Sequence, residues 1–410
     1  MISIASGCGK KTDIDLKITK NQVDNEKLGD TGKFIINPQF DYASDFSEGI
    51  ASIRVGDERG RKWGYIDNKG KILVSPQFDD AGEFSDGLAA VGINKFSTKK
   101  WGFIDKEGNL VIEPQFDYVG NFSEGLSRFR VGGKKNGRWG YINKEGRILI
   151  NPRYDYVGDF SEGLAAVRIG SEAAGEWGYI DRQGVFIIAP KFRSASSFRE
   201  GLASVAINDL TGKKVWGFID KSGKIIIPPQ FIMVGDFSEG LANVSFGNLD
   251  KNSWGYIGKD GKTVINPSYD FADKFSEGVA AVRFVDPASP LGWLYGYIDK
   301  AGKLVVNPQF LHAKNFSDGL AAIFTANLDG SRMEMGYINK NGDVLIKPQF
   351  DINPYDFSFS EKWREKCDGS EAYYLILCSQ PGPFLGNFRE GVAVVFVGEK
   401  GSGKAGYIKR

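Results

Sequence analysis

The chain has 410 residues, of which 52 are basic and 51 acidic, giving a net charge of +1 with no basic block. Nucleic-acid binding needs a concentrated cationic stripe to neutralise phosphates, so this balance argues against it. A single histidine, His312, leaves little material for a zinc site or for imidazole acid–base chemistry, and no cofactor is expected. The make-up is globular, 41% hydrophobic and 25% charged, with no apolar stretch of transmembrane length.

The first eight residues, Met1-Ile2-Ser3-Ile4-Ala5-Ser6-Gly7-Cys8, resemble the tail of a lipoprotein signal sequence. Small residues stand directly before Cys8, and the polar Gly9-Lys10-Lys11-Thr12-Asp13 follows as a tether. The charged start and apolar run of a whole signal are missing, which a lost upstream part or a misassigned start codon would explain. On this reading residues 1–31 are a lipobox remnant and tether. Cys8 carries lipid, and the body is held outside the cytoplasm on a bacterial membrane by that anchor alone, periplasmic or at the cell surface. A chance run of small residues is the plain alternative.

From residue 32 to residue 410 a unit of about 38 residues recurs nine times. Its clearest copy runs Lys62-Trp63-Gly64-Tyr65-Ile66-Asp67, Gly70-Lys71, Pro76-Gln77-Phe78, then Phe84-Ser85-Asp86-Gly87-Leu88-Ala89. The glycine closing the Phe-Ser-Glu-Gly segment and the glycine of the Trp-Gly pair each count nine, from Gly49 to Gly391 and from Gly64 to Gly406. Repetition at this period means stacked supersecondary units that share a core.

Each unit offers three short apolar runs. Gly163-Leu164-Ala165-Ala166-Val167-Arg168-Ile169 predicts a first strand, Trp177-Gly178-Tyr179-Ile180 a second, and Val185-Phe186-Ile187-Ile188 a third. Asp181-Arg182-Gln183-Gly184 predicts a tight hairpin between the last two, of fixed length in eight units. Such short runs cannot be amphipathic helices, so the chain is all-β. The proline of Pro-Gln-Phe, from Pro38 to Pro348, is expected to end the third strand because it lacks an N–H for the ladder. The link between first and second strands varies in length, as at 56–62, 92–100 and 286–294, which marks a solvent face.

The chain enters its array at Gly32-Lys33-Phe34-Ile35-Ile36-Asn37-Pro38, a third strand without its partner, and stops at Ala405-Gly406-Tyr407-Ile408-Lys409-Arg410, a second strand without a third. The fragments complement each other, which favours a closed β-propeller-like ring over an open β-solenoid. One interruption, residues 351–387, exceeds the repeat by about 33 residues and holds Trp363, Tyr373, Tyr374, Cys367 and Cys378. In an exported protein these two cysteines are expected to pair; in the cytosol they would stay free thiols.

The pattern resembles the bacterial WG-repeat family, also called KWG repeats, through segments such as Trp101-Gly102-Phe103-Ile104-Asp105 and Pro114-Gln115-Phe116-Asp117. The resemblance implies a non-enzymatic repeat module, often on exported proteins, with no common ligand.

Residues present in every unit read as architecture before chemistry. The recurring acids, from Glu48 to Glu390, evoke the paired carboxylates of glycoside hydrolysis. An acid before glycine in a turn more often accepts backbone N–H bonds. The recurring tryptophans, Trp63 to Trp254, could stack on sugars but read first as packing plugs between units, and their glycine as a place where a side chain would collide with a neighbour. Gly398-Glu399-Lys400-Gly401-Ser402-Gly403-Lys404-Ala405 approaches a phosphate-binding loop but lacks the hydroxyl residue and the following helix. His312 reads as structural. The places left for a ligand are the interruption, with Trp363, Tyr373 and Tyr374, and the irregular loop from Pro287 to Trp293, where Trp293 is expected to be exposed. The expected function is a non-enzymatic extracytoplasmic binding or scaffold module for a protein or cell-envelope glycan. A glycan-processing hydrolase and a purely structural spacer are the alternatives.

Overall fold

The computed structural model describes residues 32–56, 60–95, 98–133, 136–248, 251–289, 291–326, 333–352, 386–397 and 403–410. Every regular element in them is a strand, and the strands form nine antiparallel sheets, eight of four strands and one of three. Blade 1 runs in chain order through Tyr42–Ala43, Ile50–Val55, Lys62–Asp67 and Ile72–Phe78, each strand pairing with the next. Blades 2 to 8 repeat this order up to Ile352. The expectation of three strands per unit is corrected by the short first strand. Most copies span only two residues, too few to show alternation in the sequence.

Blade 9 closes the ring. Phe34–Phe40 pairs with Lys404–Lys409, placing Phe34 opposite Ile408 and Ile36 opposite Tyr407, and Lys404–Lys409 pairs in turn with Val392–Val397. The first strand of the array therefore completes the last blade, leaving no orphan sheet edge, and the fold is a nine-bladed β-propeller.

The core is divided among the interfaces between blades. Nine apolar clusters each join two neighbours: Tyr65, Val74 and Phe78 of blade 1 meet Phe84, Val91 and Ile104 of blade 2, and Ala405 and Tyr407 of blade 9 meet Phe46 and Ile53 of blade 1. The second strands are buried on both faces, whereas the fourth alternate and expose Ile72, Leu110 and Ile148, which marks them as the outer edge. Seven buried tyrosines donate their phenol hydrogen across an interface, from Tyr65 to Gly82 O at 2.9 Å round to Tyr407 to Ser44 O at 2.8 Å. Each such bond contributes about 1 kcal/mol and fixes where one blade sits on the next.

The proline does not end its strand. Phe34–Phe40, Ile72–Phe78 and their equivalents run through it to the final aromatic. Trp63 lies opposite Phe78 but Tyr65 opposite Val74, so the fourth strand bulges away, and the missing N–H of Pro76 falls in the bulge of an edge strand, where no ladder bond is lost. Gly64 faces that bulge. A Cβ there would sit 2.5 Å from Val74 O and 2.7 Å from Pro76 N, so the Trp-Gly glycine and the proline are two halves of one device. The expected collision of a side chain at this glycine is thus with the backbone of its own blade.

Candidate functional site

Antiparallel order sends the loops to two opposite faces of the ring. The turns between first and second strands and the third-to-fourth hairpins share one face. The second-to-third loops and the links between blades share the other.

The first face is fixed. Ser47 and Ile50 exchange backbone bonds of 3.0 and 3.1 Å around Glu48-Gly49, a two-residue hairpin with both central residues at positive φ. All nine acids adopt φ between 51° and 55°, an arrangement that is strained for a side chain other than glycine. The carboxylate returns the compensation by accepting the turn glycine's N–H from the next blade: Glu48 from Gly87, Asp86 from Gly125, Glu124 from Gly163, and so on to Asp318 from Gly391 and Glu390 from Gly49. Lysines add to this at five positions, such as Lys106 to Glu48 at 3.0 Å and Lys259 to Glu200 at 3.1 Å. Partial burial pushes the Glu200 carboxyl up, but Lys259 and the Gly240 N–H outweigh this and hold it below its ordinary value. The acids are equivalent links of a closed belt, and no two of them stand apart as an acid and a nucleophile.

The second face varies. In four blades its frame is an ion pair between the residue two before the repeat's Trp-Gly glycine and the aspartate just after the fourth strand: Lys62 with Asp79, Lys100 with Asp117, Arg138 with Asp155, and Lys404 with Asp41 across the closure. Lys404, the lysine of the near phosphate loop, is thereby placed in a strand and paired. Within the frame, one residue from each of three strands lines up across the sheet. These triplets are Tyr42–Arg54–Trp63 in blade 1, Tyr118–Arg130–Trp139 in blade 3 and Tyr156–Arg168–Trp177 in blade 4. The same positions hold Asp80–Gly92–Trp101 in blade 2, Ser194–Ala206–Trp216 in blade 5 and Met233–Ser245–Trp254 in blade 6. Rings of adjacent triplets touch, so Trp101, Tyr118, Trp139, Tyr156 and Trp177 form an unbroken run with centroids 5.4 to 6.1 Å apart. Trp139, Trp216 and Trp254 are buried plugs, as expected; Trp63, Trp101 and Trp177 are half-buried.

Inside the ring, side chains from four successive blades converge, which only the axial side permits. Asp45 of blade 1 feels Arg389 of blade 9, Lys314 of blade 8 and Glu83 of blade 2, and Arg389 reaches Glu83 at 3.7 Å. Burial pushes Asp45 up to about 6, with Oδ1 enclosed and lacking a hydrogen-bond partner, and pushes Lys314 down to about 8. A carboxyl raised above its unfolded value of 3.8 lends stability that is complete below about pH 4 and is lost as pH rises through about 6. Asp45→Asn is therefore expected to stabilise the fold by about 2 kcal/mol at pH 8 and by nothing at pH 4, read from denaturant midpoints. Equal midpoints at both pH values would show that water screens the carboxylate.

Trp293, expected to be exposed, is half-buried with the Arg283 guanidinium 4.9 Å from its ring, and the loop before it is folded by Ser289 Oγ donating to Trp293 O at 2.7 Å. His312 packs between Tyr295 and Phe324, in keeping with a structural residue. Cys8, Trp363, Cys367, Tyr373, Tyr374 and Cys378 lie outside the described residues. Among the described residues no cluster of His, Cys, Asp and Glu could hold a metal ion, and no helix is long and apolar enough to cross a membrane. The sequence reading missed the triplets because their members become neighbours only through strand register.

The profile of a family described as WG containing repeat matches nine segments, residues 30–58, 63–95, 101–134, 139–172, 177–210, 216–249, 254–284, 295–327 and 335–352. The chain belongs to the WG-repeat family. Most matched WG repeats begin at a third strand and end in the second strand of the following blade, so the sequence unit straddles two structural units. Among solved structures, a eukaryotic initiation factor is similar over 80% of this chain and 92% of its own, with 12% identity and a TM-score of 0.53. Prolyl oligopeptidase B from Galerina marginata is similar over 75% of this chain and 56% of its own, with 9% identity and a TM-score of 0.42. For a puromycin hydrolase the corresponding values are 72%, 58%, 12% and 0.34. This chain spans little more than half the length of the last two, and the likenesses are of fold alone. No curated protein matches the chain.

Proposed function

We propose that this WG-repeat propeller is a non-enzymatic binding scaffold that works outside the cytoplasm, anchored through lipid on Cys8, and recognises a protein or a cell-envelope glycan. The observation that carries the reading is the division of labour between the faces. The acid belt is spent on holding blades together in every unit, whereas the opposite face changes from blade to blade, in its aromatic–arginine triplets and in its ion pairs alike. Function on a repeat scaffold resides where units differ, because a residue needed in all nine serves the ring. The strand Val344–Ile352 ends at the variable face.

The test is a pull-down from the native envelope with the full chain and with a variant in which residues 353–385 are replaced by a short link. Loss of some partners with an unchanged melting temperature is the expected result. Recovery of the same partners by this variant and by one with loop 286–292 replaced would sink the assignment of the face.

A further inference from the structure

Arg54, Arg130 and Arg168 occupy one register position on blades 1, 3 and 4, each between a tyrosine and a tryptophan. Their guanidiniums lie 5.3 to 5.8 Å from those rings. In all three the Nε is buried with no hydrogen-bond partner, while each residue as a whole is half-buried. None of the three forms an ion pair among the described residues. Asp117 and Asp155, the acids of the adjoining frame, are already held by Lys100 and Arg138.

The ring does not need these cations. Ala206 and Ser245 fill the same position in blades 5 and 6, where the tryptophan packs as well or better. In blade 7 the equivalent Arg283 is neutralised by Asp270 at 2.6 Å. A buried, unsatisfied Nε costs about 1 to 3 kcal/mol, only part of which a cation–π contact of about 1 kcal/mol offsets. Three guanidiniums without an ion-pair partner of their own, of which only Arg130 feels a nearby carboxylate, that of Asp117, thus have little architectural return. What they present is a planar donor fork held rigid on aromatic rings, with Tyr118 and Tyr156 exposed beside it.

We propose that the aromatic–arginine arc of blades 1 to 4 is a binding site for an acidic polysaccharide of the uronic acid class, its carboxylates received by Arg54, Arg130 and Arg168 and its sugar faces by the exposed tyrosines. The inference rests on the reading of the variable face as a binding surface. A fork on a fixed plane matches a carboxylate bidentately, and a subsite repeated by blade suits a ligand that itself repeats. A nucleic acid fits less well. Its affinity comes from many released counterions, and an arc of few cations interleaved with Asp117, Asp155 and Asp159 on a chain of net charge +1 cannot release them.

The experiment is calorimetric titration of the full chain with a defined oligogalacturonate, its fully methyl-esterified form, a neutral maltooligosaccharide and an oligothymidylate of equal length. Binding of the oligogalacturonate alone is expected. Arg130→Gln and Arg168→Gln should each weaken it about tenfold, the change that one lost charged hydrogen-bonding group produces, whereas Arg283→Gln should leave it unchanged. Equal binding of the esterified polymer overturns the proposal without any appeal to a variant's folding. So does an absence of oligogalacturonate binding, wild-type affinity in folded Arg130→Gln and Arg168→Gln proteins, or oligothymidylate binding as tightly. If oligogalacturonate fails while the envelope pull-down still depends on the variable face, the ligand class is wrong and the scaffold reading stands.

Discussion

Gly255→Ala is expected to lower the stability of the ring by about 4 kcal/mol, at the high end of single substitutions, because no side chain can yield to the new methyl group. The added Cβ would stand 2.5 Å from Ile265 O and 2.9 Å from Pro267 N, both backbone atoms of the fourth strand, which is held in place by the pairing of Ile265 with Tyr256 and of Tyr269 with Trp254. Relief requires the bulge to open, which pulls the proline strand from the sheet. Two glycines calibrate the claim. Gly163→Ala meets nothing within 4 Å but forces φ of +86° on a side chain, and should cost about 1 to 2 kcal/mol. Gly133→Ala meets neither obstacle and should be within about 0.5 kcal/mol of wild type. Urea midpoints on the three variants read out the order; a Gly255→Ala midpoint at or above that of Gly163→Ala would refute the steric account.

Removal of residues 1–40 should be as damaging, for a different reason. It strips Ile36 and Phe40, 4% and 6% exposed, from the cluster shared by blades 9 and 1, and it leaves Lys404–Lys409 as an open edge. Two buried side chains of this size contribute about 5 kcal/mol together, before the lost ladder is counted. The truncated ring should melt early and associate through the bare strand, visible as a mass increase in light scattering. A peptide of residues 32–41 added in trans should restore a monomer by strand addition. A truncated chain that stays monomeric at the wild-type melting temperature would mean that the closing strand contributes little.

Period and closure were legible because both are patterns of identity along the chain. The nine glycines of the Trp-Gly position, six of them preceded by tryptophan, count the blades, and Gly32–Pro38 with Ala405–Arg410 states outright that one end lacks what the other carries. The hairpin at Asp181-Gly184 was readable for the same reason: its hydrogen bonds are local, with Gly184 N on Asp181 O at 3.0 Å. Interactions that skip along the chain were not readable. Glu48 looks like a turn residue of its own unit, yet its partner, Gly87, lies one blade on. Pro76 looks like a stop signal, because the bulge that absorbs it depends on a glycine in the preceding strand. Arg54, Arg130 and Arg168 are unremarkable in sequence; register alone sets them on their aromatic neighbours and reveals that blades 5 and 6 do without them.

The shared last blade also decides how the ring bears load. Gly32 N donates to Lys409 O at 3.1 Å, so opposed forces applied at Gly32 and at Arg410 pull at nearly one point. Tension between them falls on the ladder joining Phe34–Phe40 to Lys404–Lys409, while the other eight blades, fastened by acid, phenol and ion pair, carry none until that ladder parts. The same seam that makes the ring seamless in solution is its mechanical fuse.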